Sequence, residues 1–146
     1  MAERKANAEW DGGLKEGKGK IALGSGLFEG PFSFSTRFED EPGTNPEELL
    51  GASLAGCYSM ALGAALEKRG TPASSIRTEA KVFLGKDDAG FKINRIDLST
   101  AAEVPGISSG DFTQVAEDVK KGCPISRALA ATDITLNASL GKSQAA

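Results

Sequence analysis

The stretch that most constrains the fold of this chain is NPEELLGASLAGCYSMALGAALEKRG, from Asn45 to Gly70. Its first two residues, an asparagine followed by Pro46, are typical of a helix N-cap and the first helical position. Its last three residues, KRG, supply the cations and the glycine that commonly end helices. No charged residue occurs between Leu49 and Leu66, so the stretch predicts a long helix that is buried on every face.

The same uncharged run is 18 residues long, which is the lower limit for a transmembrane helix. Three glycines interrupt it, at Gly51, Gly56 and Gly63, and each costs about 1 kcal/mol relative to alanine inside a helix. No second segment of this kind occurs, which favours a buried core helix and predicts no membrane association. The glycines indicate that another backbone passes close by, from a neighbouring element or a partner subunit, and an oligomer is therefore expected.

The rest of the chain combines two periodicities. Period-two alternation predicts strands near residues 4–10, 20–24, 31–38, 75–84, 91–101 and 132–140. Helical spacing predicts a helix over residues 109–121 and a short one that follows Cys123 and Pro124. We therefore expect one α+β domain over residues 1–146, with the tail, residues 141–146, disordered.

Composition excludes several classes of function. The net charge is −3 with no basic stripe, which argues against nucleic-acid binding. The chain has no histidine, which rules out a Ser-His-Asp triad, a Cys-His dyad and any histidine metal site, so neither a metal nor a cofactor is expected. The N-terminus MAERKANAEW lacks the apolar region of a secretory signal, and two cysteines without such a signal predict reduced thiols in a cytoplasm.

The two cysteines are the candidate reactive groups. Cys123 stands at a predicted helix N-cap, where the pKa of a thiol is lowered. Cys57 stands in the middle of the central helix, where burial raises the pKa of a thiol unless a cation such as Arg37 lies nearby. From these rules alone Cys123 is the more acidic thiol, and a pair of unreactive, buried cysteines is an equally good interpretation.

Two motifs change this interpretation. The segments TNPEELLGASLAGCYSMAL, from Thr44 to Leu62, and KKGCPISRAL, from Lys120 to Leu129, resemble the osmotically inducible protein C (OsmC) family of thiol peroxidases, whose frame the organic hydroperoxide resistance proteins share. The spacing agrees as well, because Cys57 follows Glu47 by ten residues and Arg37 by 20 residues.

The resemblance implies a role for each of four residues. Cys57 resembles the peroxidatic cysteine and Cys123 the resolving cysteine. Arg37 resembles the arginine that holds the thiolate and polarises the peroxide, and Glu47 the carboxylate that orients this arginine. Taken singly, Arg37 is also interpretable as a solvated cation on a strand, and Glu47 as a carboxylate in the first turn of a helix.

The resemblance also implies a fold and a function. The implied fold is OsmC-like, with antiparallel sheets wrapped around the central helix in an intertwined homodimer. The implied activity is reduction of organic hydroperoxides, and of hydrogen peroxide less efficiently, through a sulfenic acid and an intramolecular disulfide in stress defence, with an unidentified dithiol as reductant. Two alternatives stay open, namely a non-enzymatic protein that binds an apolar ligand and a thiol-based redox sensor.

Overall fold

The structure, a computed structural model, describes residues 1–141, which form two compact units. The first unit ends at Leu49 and the second begins at Leu50. Both contain a three-stranded sheet and helical segments, so the predicted α+β class is confirmed. The prediction of a disordered tail falls almost entirely on residues outside the described part of the chain.

The first unit is built on an antiparallel sheet with strand order β1-β2-β3. Its elements, in chain order, are β1 (Ala6–Asp11), β2 (Lys18–Leu23), β3 (Glu29–Ser33) and the helix α1 (Phe34–Phe38). Trp10, Gly19 and Phe32 are paired across the three strands, and the two aromatic rings lie 5.3 Å apart. A Cβ atom on Gly19 would collide with the ring of Phe32, so the missing side chain allows the aromatic rings to meet over the middle strand.

The predicted strand over residues 31–38 is wrong after Ser33. The Ser33 side chain accepts a hydrogen bond from the backbone N–H of Thr36 at 3.2 Å, and the Thr36 hydroxyl accepts one from the backbone N–H of Ser33 at 2.8 Å. These reciprocal bonds form a capping box that starts α1. Arg37 therefore lies in a helical turn, and the alternation of phenylalanines does not mark a strand there.

The long helix α2 (Pro46–Lys68) begins and ends close to the predicted positions. The Asn45 side chain accepts a hydrogen bond from the backbone N–H of Glu48 at 2.7 Å, as expected of an N-cap. After the last turn the backbone passes through Gly70 at φ +86°, a conformation that favours glycine.

The second unit continues from α2 into a mixed sheet with strand order β4-β5-β6. Its further elements are β4 (Ser75–Asp87), β5 (Gly90–Glu103), α3 (Ser109–Gly122), α4 (Pro124–Ala128) and β6 (Asp133–Leu140). Strands β4 and β5 form an antiparallel hairpin whose register shifts between Phe83 and Leu84, opposite Asn94. Such a shift marks an irregularity in the pairing of the two strands. Strand β6 pairs with β5 in parallel, so the expectation of purely antiparallel sheets is wrong.

One face of α2 enters the core of the second unit. The side chains of Leu54, Tyr58, Leu62 and Leu66 are fully buried there. They belong to one cluster with residues of β5, α3 and the start of α4, namely Ile96, Leu98, Ala102, Phe112, Ala116, Val119 and Cys123. The helix is long and apolar enough to span a membrane by length and composition alone, but its large side chains on this face pack inside the protein.

The opposite face of α2 is uncharged and exposed in the single chain. It carries the row Ala52, Gly56, Met60 and Ala64, and Met60 is 80% exposed. The prediction of burial on every face is therefore not met within one chain. Of the three glycines, only Gly51 faces a close neighbour, because a Cβ atom there would lie 3.2 Å from a methyl group of Val82 in β4 and 3.6 Å from the backbone oxygen of the neighbouring Ala80.

Candidate active site

The second unit brings the two cysteines into contact. Cys57 lies near the middle of α2, and Cys123 lies between α3 and α4. Both are free thiols, and their Sγ atoms are 3.2 Å apart. A disulfide has an S–S bond of about 2 Å, so the sulfurs need to approach each other by only about 1 Å to form one. Cys57 is half-buried, whereas Cys123 is 1% exposed.

Local structure holds Cys123 at this position. Its backbone N–H caps α3 by donating to the carbonyl of Val119 at 2.9 Å. The same residue is the N-cap of α4, with Pro124 at the first helical position. Its sulfur accepts hydrogen bonds from the backbone N–H and from the Oγ of Ser126, both at 3.5 Å.

The two thiols differ in acidity. Burial opposes ionisation of Cys123, but the hydroxyl and the backbone N–H of Ser126, together with the Cys57 thiol and the backbone of Ile125, lower the pKa of the Cys123 thiol below its ordinary value. Burial raises the pKa of the Cys57 thiol, the backbone of Ile125 offsets part of this rise, and the neighbouring Cys123 adds to it. The ranking predicted from local rules is therefore supported. Burial therefore disfavours the thiolate form of Cys57, although its sulfur is the more exposed of the two.

The first unit brings Arg37 and Glu47 together. The guanidinium donates from Nε to one carboxylate oxygen of Glu47 at 3.1 Å and from Nη2 to the other at 2.6 Å. The Arg37 side chain is 35% exposed and that of Glu47 is 12% exposed. This two-point geometry fixes the plane of the guanidinium and leaves Nη1 unused by Glu47. The guanidinium carbon also lies 5.3 Å from the centroid of the Phe38 ring.

The segment around Thr36 positions this ion pair. Its hydroxyl donates to the carbonyl of Thr44 at 2.8 Å, and the Asn45 side chain donates to the Thr36 carbonyl at 3.3 Å. These bonds tie α1 to the residues that start α2, which places Arg37 beside the first-turn carboxylate of Glu47.

The predicted site residues therefore form two pairs, each within one unit. The residue that sequence reasoning missed is Ser126, which touches the sulfur of Cys123. A signal for it was present, because Ser126 stands three residues after the predicted N-cap cysteine, the position whose backbone N–H turns toward an N-cap side chain. Within residues 1–141, no group of three or more Cys, Asp or Glu side chains is arranged to hold a metal ion.

Comparison with known proteins identifies the family. The family model described as OsmC-like protein matches residues 38–138, a range that contains Glu47, Cys57 and Cys123 and begins directly after Arg37. The chain belongs to the OsmC-like protein family. The resemblance seen in the sequence is thereby confirmed.

Relatives and solved structures agree with this assignment. This OsmC-like chain is 47% identical over 135 residues to proteins named peroxiredoxin OsmC from Escherichia coli strain K12 and from Shigella flexneri, covering 92% of this chain and 94% of each relative. An OsmC-like protein from Mycoplasma pneumoniae superposes with a TM-score of 0.75 at 16% identity, over 97% of this chain and 99% of that one. The organic hydroperoxide resistance protein OhrB of Bacillus subtilis superposes with a TM-score of 0.66 at 22% identity, over 94% and 98%. These two structures support the fold.

Proposed function

We propose that this protein is a peroxiredoxin-like thiol peroxidase that reduces organic hydroperoxides to alcohols, and hydrogen peroxide less efficiently. The observation that carries the proposal is the 3.2 Å contact between the sulfurs of Cys57 and Cys123. The identity of 47% to relatives named peroxiredoxin supports the peroxidase role.

The proposed cycle has three steps. The Cys57 thiolate attacks the terminal, hydrogen-bearing oxygen of the peroxide, and the O–O bond breaks. The alkoxide leaves and takes up a proton to give the alcohol, so that the peroxide is reduced and Cys57 becomes a sulfenic acid. Cys123, as a thiolate, then attacks the Cys57 sulfur and the S–O bond breaks. The departing hydroxide takes up the proton that the Cys123 thiol released and leaves as water, and the Cys57–Cys123 disulfide forms. A dithiol reductant restores both thiols by two exchange reactions and leaves as its own disulfide.

In this proposal, Arg37 supplies the cation that Cys57 requires. Burial raises the pKa of the Cys57 thiol, so a positive charge is needed to favour the thiolate. Glu47 accepts hydrogen bonds from Nε and Nη2 of Arg37 but not from Nη1. A guanidinium is able to donate to a thiolate and to a peroxide oxygen at the same time. Glu47 acts through Arg37 by fixing the orientation of the guanidinium plane.

The proposed functional form is a homodimer. The row of exposed, uncharged residues on α2, from Ala52 to Ala64, includes Met60, and a Cβ atom on Gly56 would meet nothing within 4 Å. A second copy of the chain is the proposed cover for this row. Sedimentation at micromolar concentration tests it, and a 15.1 kDa species alone would contradict it.

We also propose a cytoplasmic location, since both thiols must be reduced again after every turnover.

The preference for organic substrates rests on the apolar surroundings of Cys57. This residue packs against the core cluster together with Leu50 and Ala61. If an alkyl or aryl tail buries about 100 Å² near the sulfur, it contributes roughly 2.5 kcal/mol, or about 70-fold in kcat/KM. Hydrogen peroxide has no tail and gains nothing from these surroundings.

Steady-state peroxide consumption with dithiothreitol tests the function. We expect kcat/KM for cumene or tert-butyl hydroperoxide to exceed that for hydrogen peroxide by about one to two orders of magnitude, and Cys57→Ser to abolish turnover. Ratios near one would contradict the substrate class. Absence of turnover in the wild-type protein would contradict the enzyme, in favour of a ligand-binding protein if cumene hydroperoxide still binds, or of a sensor if both thiols oxidise once only.

A further inference from the structure

Ser126 donates hydrogen bonds to the sulfur of Cys123, the proposed resolving cysteine, and the proposed peroxidase cycle assigns no role to this contact. Its hydroxyl and its backbone N–H both lie 3.5 Å from the Sγ of Cys123. Sulfur accepts hydrogen bonds at longer distances than oxygen because its atomic radius is larger. Ser126 is 7% exposed and Cys123 is 1% exposed, so little water is available to take over this contact.

We propose that Ser126 is a positioning residue for the disulfide-forming step, in which its hydroxyl orients the Cys123 sulfur toward Cys57 and stabilises the Cys123 thiolate. This inference rests on the proposed function, because it concerns the second step of the same cycle.

The physical reason is the lack of solvent around the buried sulfur of Cys123. The thiolate, and not the thiol, is the nucleophile that condenses with a sulfenic acid. A thiolate at Cys123 has almost no solvent around it, and donors that point at an anion favour the charged form. The hydroxyl of Ser126, 3.5 Å from the Cys123 sulfur, is therefore the side-chain donor that replaces solvation, and the sulfur of Cys57 lies 3.2 Å from the same atom.

The contact between Ser126 and Cys123 also determines which sulfur leaves when the disulfide is reduced. A thiolate of the dithiol reductant attacks the more exposed Cys57 sulfur, the Cys57–Cys123 bond breaks, and Cys123 leaves as a thiolate between the Ser126 donors. The second thiol of the reductant then displaces Cys57. A thiol with a lower pKa is the better leaving group, which agrees with the order of acidity of the two cysteines.

Single-turnover kinetics of Ser126→Ala test the proposal. One equivalent of cumene hydroperoxide is added, and the sulfenic acid and the disulfide are followed separately by rapid quenching and mass spectrometry. We expect the sulfenic acid of Cys57 to form at the wild-type rate and the disulfide to form about tenfold more slowly at neutral pH, the loss of one hydrogen bond to a charged group. The pH profile of disulfide formation should move to higher pH, with the rate recovering in alkaline solution.

Two further variants separate a specific role from a structural one. Ser126→Thr retains a hydroxyl and should restore the rate and the pH profile. Ser59→Ala is the matched control, because it removes a serine hydrogen bond of the same unit, 2.8 Å to Thr78, without touching either sulfur. It should leave both steps unchanged. If Ser126→Ala does not fold, Ser126→Val repeats the measurement, because valine has the shape of the threonine variant without its hydroxyl.

The outcomes distinguish this inference from the proposed function. If the wild-type protein forms no sulfenic acid, the peroxidase function itself is wrong. If sulfenic acid forms but Ser126→Ala makes the disulfide at the wild-type rate and pH profile, only the role of Ser126 is wrong. A slower disulfide step at every pH with an unmoved profile would also overturn it, since that result indicates a packing effect without an effect on the thiolate.

Discussion

Replacing Arg37 by lysine keeps the positive charge and removes the planar guanidinium that donates two hydrogen bonds to Glu47. The two hydrogen bonds, 3.1 Å and 2.6 Å long, come from different nitrogens of the guanidinium, and a lysine ammonium reaches at most one carboxylate oxygen in the same direction. The loss of one hydrogen bond between charged groups is about 1.5 kcal/mol. If this pair orients the cation for the reacting thiolate, the barrier rises by a similar amount and kcat/KM falls about tenfold.

The assay for Arg37→Lys is steady-state consumption of cumene hydroperoxide, with kcat and KM determined separately. Arg69→Lys is the matched control, because Arg69 also pairs with a carboxylate, that of Asp111 at 2.7 Å, and is not part of the proposed site. The control should keep wild-type kinetics. Wild-type activity of Arg37→Lys, or equal losses in both variants, would refute the two-point role of Arg37.

Three further expectations concern stability, the redox cycle and pH. Tyr58→Phe should lower the free energy of unfolding, measured in urea, by about 1–2 kcal/mol, because the Tyr58 hydroxyl donates to the buried carbonyl of Ala116 at 3.2 Å. Burial also raises the pKa of Tyr58 above its ordinary 10.0, so the stability of the wild-type protein should fall as pH rises beyond that value. The Tyr58→Phe variant should not show the loss of stability that comes from ionisation of Tyr58. Cys123→Ser should stop at the sulfenic acid of Cys57 and overoxidise in excess peroxide, which intact-protein mass spectrometry detects. Arg37→Ala should move the pH profile of peroxide consumption to higher pH, because burial already raises the pKa of the Cys57 thiol and loss of the cation raises it further; an unmoved profile would contradict the proposed electrostatic role.

Local signals in the sequence were sufficient for the long elements. The ends of α2 follow from Asn45 and Gly70, which act as N-cap and C-terminal glycine in the structure. The alternation in residues 132–140 predicted β6 but not its parallel pairing with β5, since a period of two is the same in both directions. The helix α1 was missed because five residues are too few to show helical spacing, and Ser33 marks its start only through a capping box with Thr36.

The candidate site divides in the same way. Local rules identified Cys123 as the more acidic thiol, and the resemblance assigned Cys57, Arg37 and Glu47 to one site. The resemblance implied that Cys57 and Cys123 approach each other, but local rules did not. The 3.2 Å contact joins two sulfurs 66 residues apart in sequence, and it depends on how α3 and α4 pack against α2. The two hydrogen bonds from Ser126 to sulfur likewise require the folded turn after Cys123.

The central claim is that Cys57 and Cys123 form one redox pair within a chain. The measurement that tests it most directly is disulfide mapping after one equivalent of cumene hydroperoxide, with free thiols blocked before proteolysis under non-reducing conditions. The account predicts loss of both thiols and a peptide pair joined by a Cys57–Cys123 bond, while the denatured protein remains a single chain of 15.1 kDa. Bridges only between chains, or consumption of peroxide with both thiols still free, would contradict it.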